Sequence, residues 1–489
     1  MQELAIDIKD IEKSYNGKTI LTIDHLRVYQ NEKIGIVGEN GQGKSTLLNI
    51  INQSTQPDKG QVYVISDFQY FKQIDHFSDT NFEKVDPELI SRLKVPDYTA
   101  SKYSGGEDTR ARLAEIFSNY TTGMLMDEPT THLDSEGVQY LINELTYYYG
   151  TLLVVSHDRS FLDNVVHTIW EVKNGSVNVY NGNYSSYLKQ KEHDVLEQER
   201  EYEKFQKEKL RLKDSVLKKQ RQALKMSKVS QKKKNKNINP GRLASSKEKG
   251  TVQKAAQKTA KAIEKRIDNL DEIEKITKVQ KIHFPDTKTI DIHNPFPIMG
   301  EAVIIEKGNQ VILDNVDFQF KLGKRIGISG PNGSGKTSLL QHIIENNEGI
   351  TLSPKVKFST YNQMDYKCIE KKSVIDYLMN ETEYQESFIR AILNNLGFDQ
   401  NAINKCTMDL SGGEKTRLVI AKLFTDPSNV LILDEPTNFI DVETIEALEK
   451  LLNAYKGTVI FTSHDNYFMK KVADEVWEIE DNKLILKEY

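Results

Sequence analysis

Two nine-residue segments, GENGQGKST (38–46) and GPNGSGKTS (330–338), carry the pattern G-x-x-x-x-G-K-[ST]. Such a segment can cradle a polyphosphate: glycines let backbone N–H groups curl around phosphate oxygens, and a following helix adds the partial positive charge of its N-terminus. Each copy has the flanks that this chemistry needs, a strand-like run before it (EKIGIV, KRIGIS) and a helix-like run after it (STLLNIIN, TSLLQHII). The expected phosphate-binding residues are Gly38, Asn40, Gly41, Gly43, Lys44, Ser45 and Thr46 in one copy. In the other they are Gly330, Asn332, Gly333, Gly335, Lys336, Thr337 and Ser338. Lys44 and Lys336 are placed to reach the β and γ phosphates, and Ser45 and Thr337 to bind magnesium.

Three further elements repeat in the same order. YSGGE (103–107) matches LSGGE (410–414), MLMDEPT (124–130) matches LILDEPT (431–437), and VVSHD (154–158) matches FTSHD (461–465). Ser104 and Ser411, Asp127 and Asp434, and His157 and His464 are each 307 positions apart. A fixed offset over this length marks an internal duplication. The apolar run before each Asp-Glu pair predicts a buried parallel strand that delivers two carboxylates to the phosphate site at its C-terminal end. The first carboxylate, Asp127 or Asp434, would hold magnesium through water. The second, Glu128 or Glu435, would polarise the attacking water as general base. His157 and His464 follow another apolar strand and could sense the γ-phosphate.

These elements must be positioned by two similar α/β domains, and 489 residues are enough for two or three cores. No apolar run reaches the roughly 18 to 20 residues of a membrane-spanning helix, and MQELAIDIKD lacks the basic and apolar regions of a leader, so the expected location is the cytoplasm. Cys368 and Cys406 have no metal or disulfide spacing and read as small hydrophobes. Charge is uneven. Against a net charge of -5, Arg211 to Lys261 holds 17 Lys or Arg and only two acids, Asp214 and Glu248. From about Tyr184 to Met226 the chain is rich in Lys, Glu, Gln and Leu without Pro or Gly, which predicts one helix of about 60 Å. After Asn239-Pro240-Gly241 a second helical pattern places Ala256, Ala260, Ile263, Ile267 and Leu270 on one seam, which predicts an antiparallel hairpin with a basic tip near 231–250. A basic hairpin suits structured RNA; a solvated connector is the alternative.

P-loop, SGGE, DEPT and SHD in this order resemble the ATP-binding-cassette ATPases, over both halves of the chain. The resemblance implies ATP and Mg2+, and two cassettes stacked head to tail, so that one ATP meets Ser411, Gly412 and Gly413 and the other Ser104, Gly105 and Gly106. It also assigns Gln73 and Gln363 to the magnesium site and Tyr15 to stacking on adenine; the second half, reading HNPFPIMGEAVIIEKGNQVIL, has no clear counterpart of Tyr15.

Two cassettes joined by a charged helical hairpin resemble, more narrowly, the ABC-F proteins. The fold class implied is α/β, with two P-loop ABC ATPase domains, 1–183 and 290–489, joined by a long antiparallel α-helical hairpin linker, 184–289. The resemblance implies a monomer with paired cassettes that binds the 70S ribosome, its rRNA and P-site tRNA, near the tRNA exit site. Its resistance members displace antibiotics of the macrolide, lincosamide, streptogramin and pleuromutilin classes from the large subunit. DEPTTHLD and DEPTNFID resemble those members, and the short interval from Gln73 to Ser104, against that from Gln363 to Ser411, leaves no room for the arm helices of the housekeeping relatives. A housekeeping translation factor and the ATPase of a drug exporter are the alternatives.

Overall fold

The structure, a computed structural model, describes residues 3–72, 85–95, 105–234, 258, 284, 292–308, 310–361, 371–380, 382, 384–438 and 440–487. Gln73, Gln363, Ser104, Cys368, the centre of the expected basic tip and nearly all of its return helix lie outside the described residues. By its contacts the chain divides into two units, residues 1–187 with 279–489, and residues 188–278.

The first unit contains the same architecture twice. In each copy a three-stranded antiparallel sheet accompanies a six-stranded sheet. The first large sheet runs Phe68–Phe71, Gly123–Asp127, Thr151–Val155, Lys33–Val37, Thr168–Lys173 and Ser176–Asn181, parallel except for its last strand. Its counterpart runs Phe358–Tyr361, Val430–Leu433, Thr458–Thr462, Arg325–Ser329, Glu475–Glu480 and Lys483–Lys487, with the same pattern of directions. Every residue of Gly123–Asp127 and Thr151–Val155 is buried, as are those of Val430–Leu433 and Thr458–Thr462. That is why these strands are apolar without alternation: parallel strands in the middle of a sheet are covered on both faces.

The strand Lys33–Val37 lies beside Thr151–Val155, and Arg325–Ser329 beside Thr458–Thr462. The P-loop that leaves each of them therefore emerges at the edge where Asp127 ends its own strand and Asp434 directly follows its own. The helices Lys44–Ile51 and Lys336–Ile344 start at Gly43 and Gly335, which hold φ of 102° and 98°. A side chain would be strained there, and a Cβ would also collide with the Cγ2 atom of Ile20 or of Ile312.

The second unit contains most of the helix Tyr184–Lys234, 51 residues long. It extends beyond the expected end near Met226 and rises about 75 Å rather than about 60 Å. The reason lies in composition: no helix breaker occurs before Pro240, and Lys and Gln are good helix formers. Phe284, which falls within the expected linker, is buried among Phe388, Phe424 and Tyr455 with ring centroids 5.3 to 5.8 Å away.

Candidate nucleotide sites

Each P-loop lysine is buried and folds its ammonium onto its own loop. Lys44 Nζ donates to the Gly38 carbonyl at 2.6 Å and the Glu39 carbonyl at 3.1 Å; Lys336 Nζ donates to the Gly330 and Pro331 carbonyls at 2.8 and 3.0 Å. Burial lowers the pKa of both, while the strand-end carboxylates oppose the shift. Ser45 and Thr46 follow Lys44 on its helix, and Thr337 and Ser338 follow Lys336. The Ser45 hydroxyl bonds Asp127, and Thr337 Oγ1 donates to Asp434 Oδ2 at 2.8 Å. Asp127 Oδ1 is buried without a hydrogen-bond donor. Hydroxyl plus carboxylate, with an acceptor oxygen to spare, is a donor set that fits Mg2+.

Glu128 sits one residue and Glu435 two residues beyond the strand ends, both in a left-handed backbone, at φ of 53° and 46°. Such a conformation is costly for a non-glycine residue, yet both halves adopt it. In each, the histidine that ends the neighbouring strand's loop donates its backbone N–H to the glutamate: His157 to Glu128 Oε2 and His464 to Glu435 Oε2, both at 3.3 Å. Burial pushes the Glu128 carboxyl up to about 8 and the Glu435 carboxyl up to about 7, against the pull of the P-loop lysine. A carboxyl poised near neutrality suits a general base. The imidazoles shift oppositely: burial and the nearby lysine take His157 down to about 3 and His464 down to about 4, so both rings are neutral at pH 7. Their Nε2 atoms lie 3.3 Å from Asn40 Oδ1 and 3.0 Å from Asn332 Oδ1.

A cavity of about 410 Å³ opens over the first P-loop. Tyr15, Asn40, Gly41, Lys44, Ser45, Thr46, Asp127, Glu128 and His157 line it from the first half. Thr437, Asn438, Ile445, His464 and Asp465 line it from the second. The signatures cross over in the same sense. A Cβ added to Gly413 would lie 3.8 Å from Asn40 Cβ, and one added to Gly106 would lie 3.6 Å from Asn332 Nδ2. Ser411 caps the helix Gly412–Thr425 in a reciprocal box with Glu414, and the helix Gly105–Ser118 begins at the equivalent place. The two described signature segments thus approach the P-loop of the opposite half.

Two participants escaped the sequence reading. Asp134 Oδ2 accepts from the backbone of Asn332 at 3.5 Å and pairs with Arg110 Nη2 at 3.2 Å, while Asp441 contributes to the field on Lys44. Their 307-residue separation was the available signal, since DEPTTHLD and DEPTNFID end on them.

The crossed geometry gives a direct test. With Cys368 and Cys406 replaced by Ser, the pair Asn40→Cys and Gly413→Cys should form an intramolecular disulfide on mild oxidation, because a Cβ separation of 3.8 Å falls within the bonding range. Mobility on non-reducing gels after proteolysis between the halves reads the bond. An equally efficient bond from Asn40→Cys to Gly106→Cys would contradict the pairing.

A family model described as "ABC transporter" matches residues 21–131 and 313–438, and a second with the same description matches 170–237. The chain is 47% identical over 480 residues to the erythromycin resistance ATP-binding protein MsrA of Staphylococcus epidermidis, covering 98% of each. It is 30% identical over 499 residues to the ribosome protection protein VmlR of Bacillus subtilis, covering 99% of this chain and 88% of that protein. Among solved structures, RNase-L inhibitor superposes with a TM-score of 0.63 at 18% identity, covering 96% of this chain and 87% of that one. A likeness at that identity speaks to fold alone.

Proposed function

Because the chain belongs to the ABC-F family of twin-cassette ATPases, and so binds and hydrolyses ATP, we propose that it is a ribosome-protection factor that displaces antibiotics from the large ribosomal subunit. The observation that carries this reading is its likeness along nearly the whole chain to an erythromycin resistance protein and to a ribosome protection protein. Among the described residues, no helix is long and apolar enough to cross a membrane.

In this reading residues 1–183 and 290–489 are the cassettes, 184–289 link them, and the chain works in the cytoplasm as a monomer. Lys44 and Lys336 neutralise the triphosphate, and Ser411 with Gly412 and Gly413, or Ser104 with Gly105 and Gly106, closes each site from the other half. Gln73 and Gln363 complete the sites. Mg2+, held by Ser45 and Asp127 or by Thr337 and Asp434, would screen the phosphate charge when bound. Glu128 and Glu435 take the proton from the attacking water, while the neutral His157 and His464 each donate a ring N–H to the γ-phosphate. Closure on ATP fixes the cassettes against the ribosome near the tRNA exit site, beside P-site tRNA. The linker then carries its basic tip towards the drug, and a helix rising about 75 Å provides the reach.

The test is a tip exchange. Replacing Asn239 to Ser246 by a Gly-Ser turn should leave ribosome-free ATP turnover within about twofold, since hydrolysis resides in the cassettes. The same exchange should abolish protection in a susceptible host challenged with a macrolide, a lincosamide, a streptogramin A and a pleuromutilin. An unchanged resistance panel would reduce the tip to a connector and favour a housekeeping role.

A further inference from the structure

Each strand-end aspartate has a neighbour on the next central strand, and the two halves differ in what that neighbour is. Val155 pairs with Asp127 across the parallel strands of the first half. In the second half Leu433 pairs with Phe461, so one residue further on Thr462 stands beside Asp434. Val155 and Thr462 are 307 positions apart, as the two aspartates are, and both are buried. Valine and threonine have nearly the same shape. What threonine adds is a hydroxyl, a donor and an acceptor, where water does not reach.

That hydroxyl joins two functional residues. Thr462 Oγ1 donates to Asp434 Oδ1 at 2.7 Å and accepts the backbone N–H of Glu435 at 2.8 Å. Thr337 Oγ1 donates to the other oxygen, Oδ2, so both oxygens of this carboxylate are engaged and its plane is fixed. The first half is built otherwise. The Glu128 N–H goes to the Val155 backbone carbonyl at 2.9 Å, and Asp127 keeps the Ser45 hydroxyl while its buried Oδ1 meets no donor among the described residues. Asp127 is therefore oriented from one side only. A hydrogen bond from behind a ligating carboxylate sets the oxygen that faces the metal, and removing such a partner weakens metal binding by about 10- to 100-fold.

We propose that Thr462 is a positioning residue of the second site, holding the Asp434 carboxylate in the orientation that receives Mg2+ and tying it to the backbone of Glu435, and that the first site, with Val155 in that place, binds the metal more loosely. Thr462 touches neither nucleotide nor metal in this account and acts through Asp434 and Glu435 alone. The inference rests on the assignment of Asp127 and Asp434 to Mg2+ and not on the ribosomal role.

Equilibrium binding of labelled ADP to the full chain, in Mg2+ and again in EDTA, measures the gain in affinity that the metal brings, free of turnover. Lys44→Ala leaves the second site and Lys336→Ala the first, and the gain should be at least about threefold larger in the former. On the Lys44→Ala background, Thr462→Val should cut the gain about tenfold or more while affinity in EDTA stays within about twofold. Thr462→Ser keeps the hydroxyl and should hold the gain within about threefold of the parent. On the Lys336→Ala background, Val155→Thr should raise the gain about threefold or more, by supplying the donor that Asp127 Oδ1 lacks. A Thr462→Val chain with an undiminished gain would overturn the proposal, as would a Val155→Thr chain with no rise. So would a Thr462→Val chain whose affinity falls equally in Mg2+ and in EDTA, the result of a merely structural hydroxyl. Failure of the premise reads differently: an Asp434→Ala chain that keeps the full gain would remove Asp434 from the metal site, and the role of Thr462 with it.

Discussion

Exchanging Glu128 and Glu435 for glutamine in one chain is expected to lower steady-state ATP turnover by about 100-fold or more while ATP affinity stays within about threefold. Glutamine keeps the size and hydrogen-bonding reach of the side chain, so the backbone donors from His157 and His464 still have an oxygen to meet. What is lost is the capacity to accept a proton. The wild-type pH profile should carry the same signature. Burial raises both carboxyls, to about 8 and about 7, so the basic form is lost as pH falls through that range, and kcat/KM should fall with it. His157 and His464, neutral throughout that window, contribute no inflection to it. The residual rate of the double variant should not share the acid limb. Phosphate release at the wild-type rate from the double variant would remove both glutamates from the mechanism.

The second large effect concerns how the halves hold together. Arg159, beside the SHD segment of the first half, donates to Glu449 Oε1 of the second at 2.7 Å, and the two side chains are 0% and 4% exposed. Lys471 also reaches Glu449 Oε2, at 3.1 Å, whereas beyond Glu449 the Arg159 guanidinium lies 5.0 Å from the ring of Tyr467 and feels Asp465 and Glu446 only through space. Removing one member of a buried pair strands the other, and the two single substitutions are therefore unequal. Glu449→Leu leaves a buried guanidinium and should destabilise the chain by about 3 kcal/mol or more. Arg159→Met leaves Glu449 with Lys471 and should cost less. The double substitution should return to within about 1 kcal/mol of the parent, because an apolar pair avoids the desolvation of two charges. Thermal unfolding of the three chains measures this. A double variant as unstable as Glu449→Leu would show that packing, and not the charge pair, matters there.

The sites were legible to the extent that their chemistry is local. A P-loop needs its glycines, lysine and hydroxyl within nine residues, and the helices do start at Gly43 and Gly335 as the two segments require. The central strands were legible because burial on both faces forces an apolar run. The resemblance supplied the crossing of the signatures, for which nothing in the spacing of Gly106 or Gly413 gives a direction. Contacts made by packing one half on the other were not legible at all. Arg159 and Glu449 are 290 residues apart, and their equivalents under the 307-residue offset, Asn466 and Ile142, are not charged, so no repeat announces the pair. The left-handed backbone at Glu128 and Glu435 was equally hidden, since glutamate carries no preference for it. The linker helix runs past Met226 to Lys234 because the residues that follow include no Pro or Gly and are rich in Lys and Gln, which favour helix.

The central claim is that ATP closes the cassettes on a ribosome, and sedimentation of the Glu128→Gln, Glu435→Gln chain tests it most directly. Purified 70S particles and washed membranes are incubated with the chain in ATP or in ADP and spun through sucrose. The expected result is a pellet with ribosomes in ATP at about one chain per particle, little in ADP, and none with membranes, because a chain unable to hydrolyse is held in the state that ATP favours. A chain left in the supernatant beside ribosomes and ATP, or one carried down by membranes instead, would contradict it.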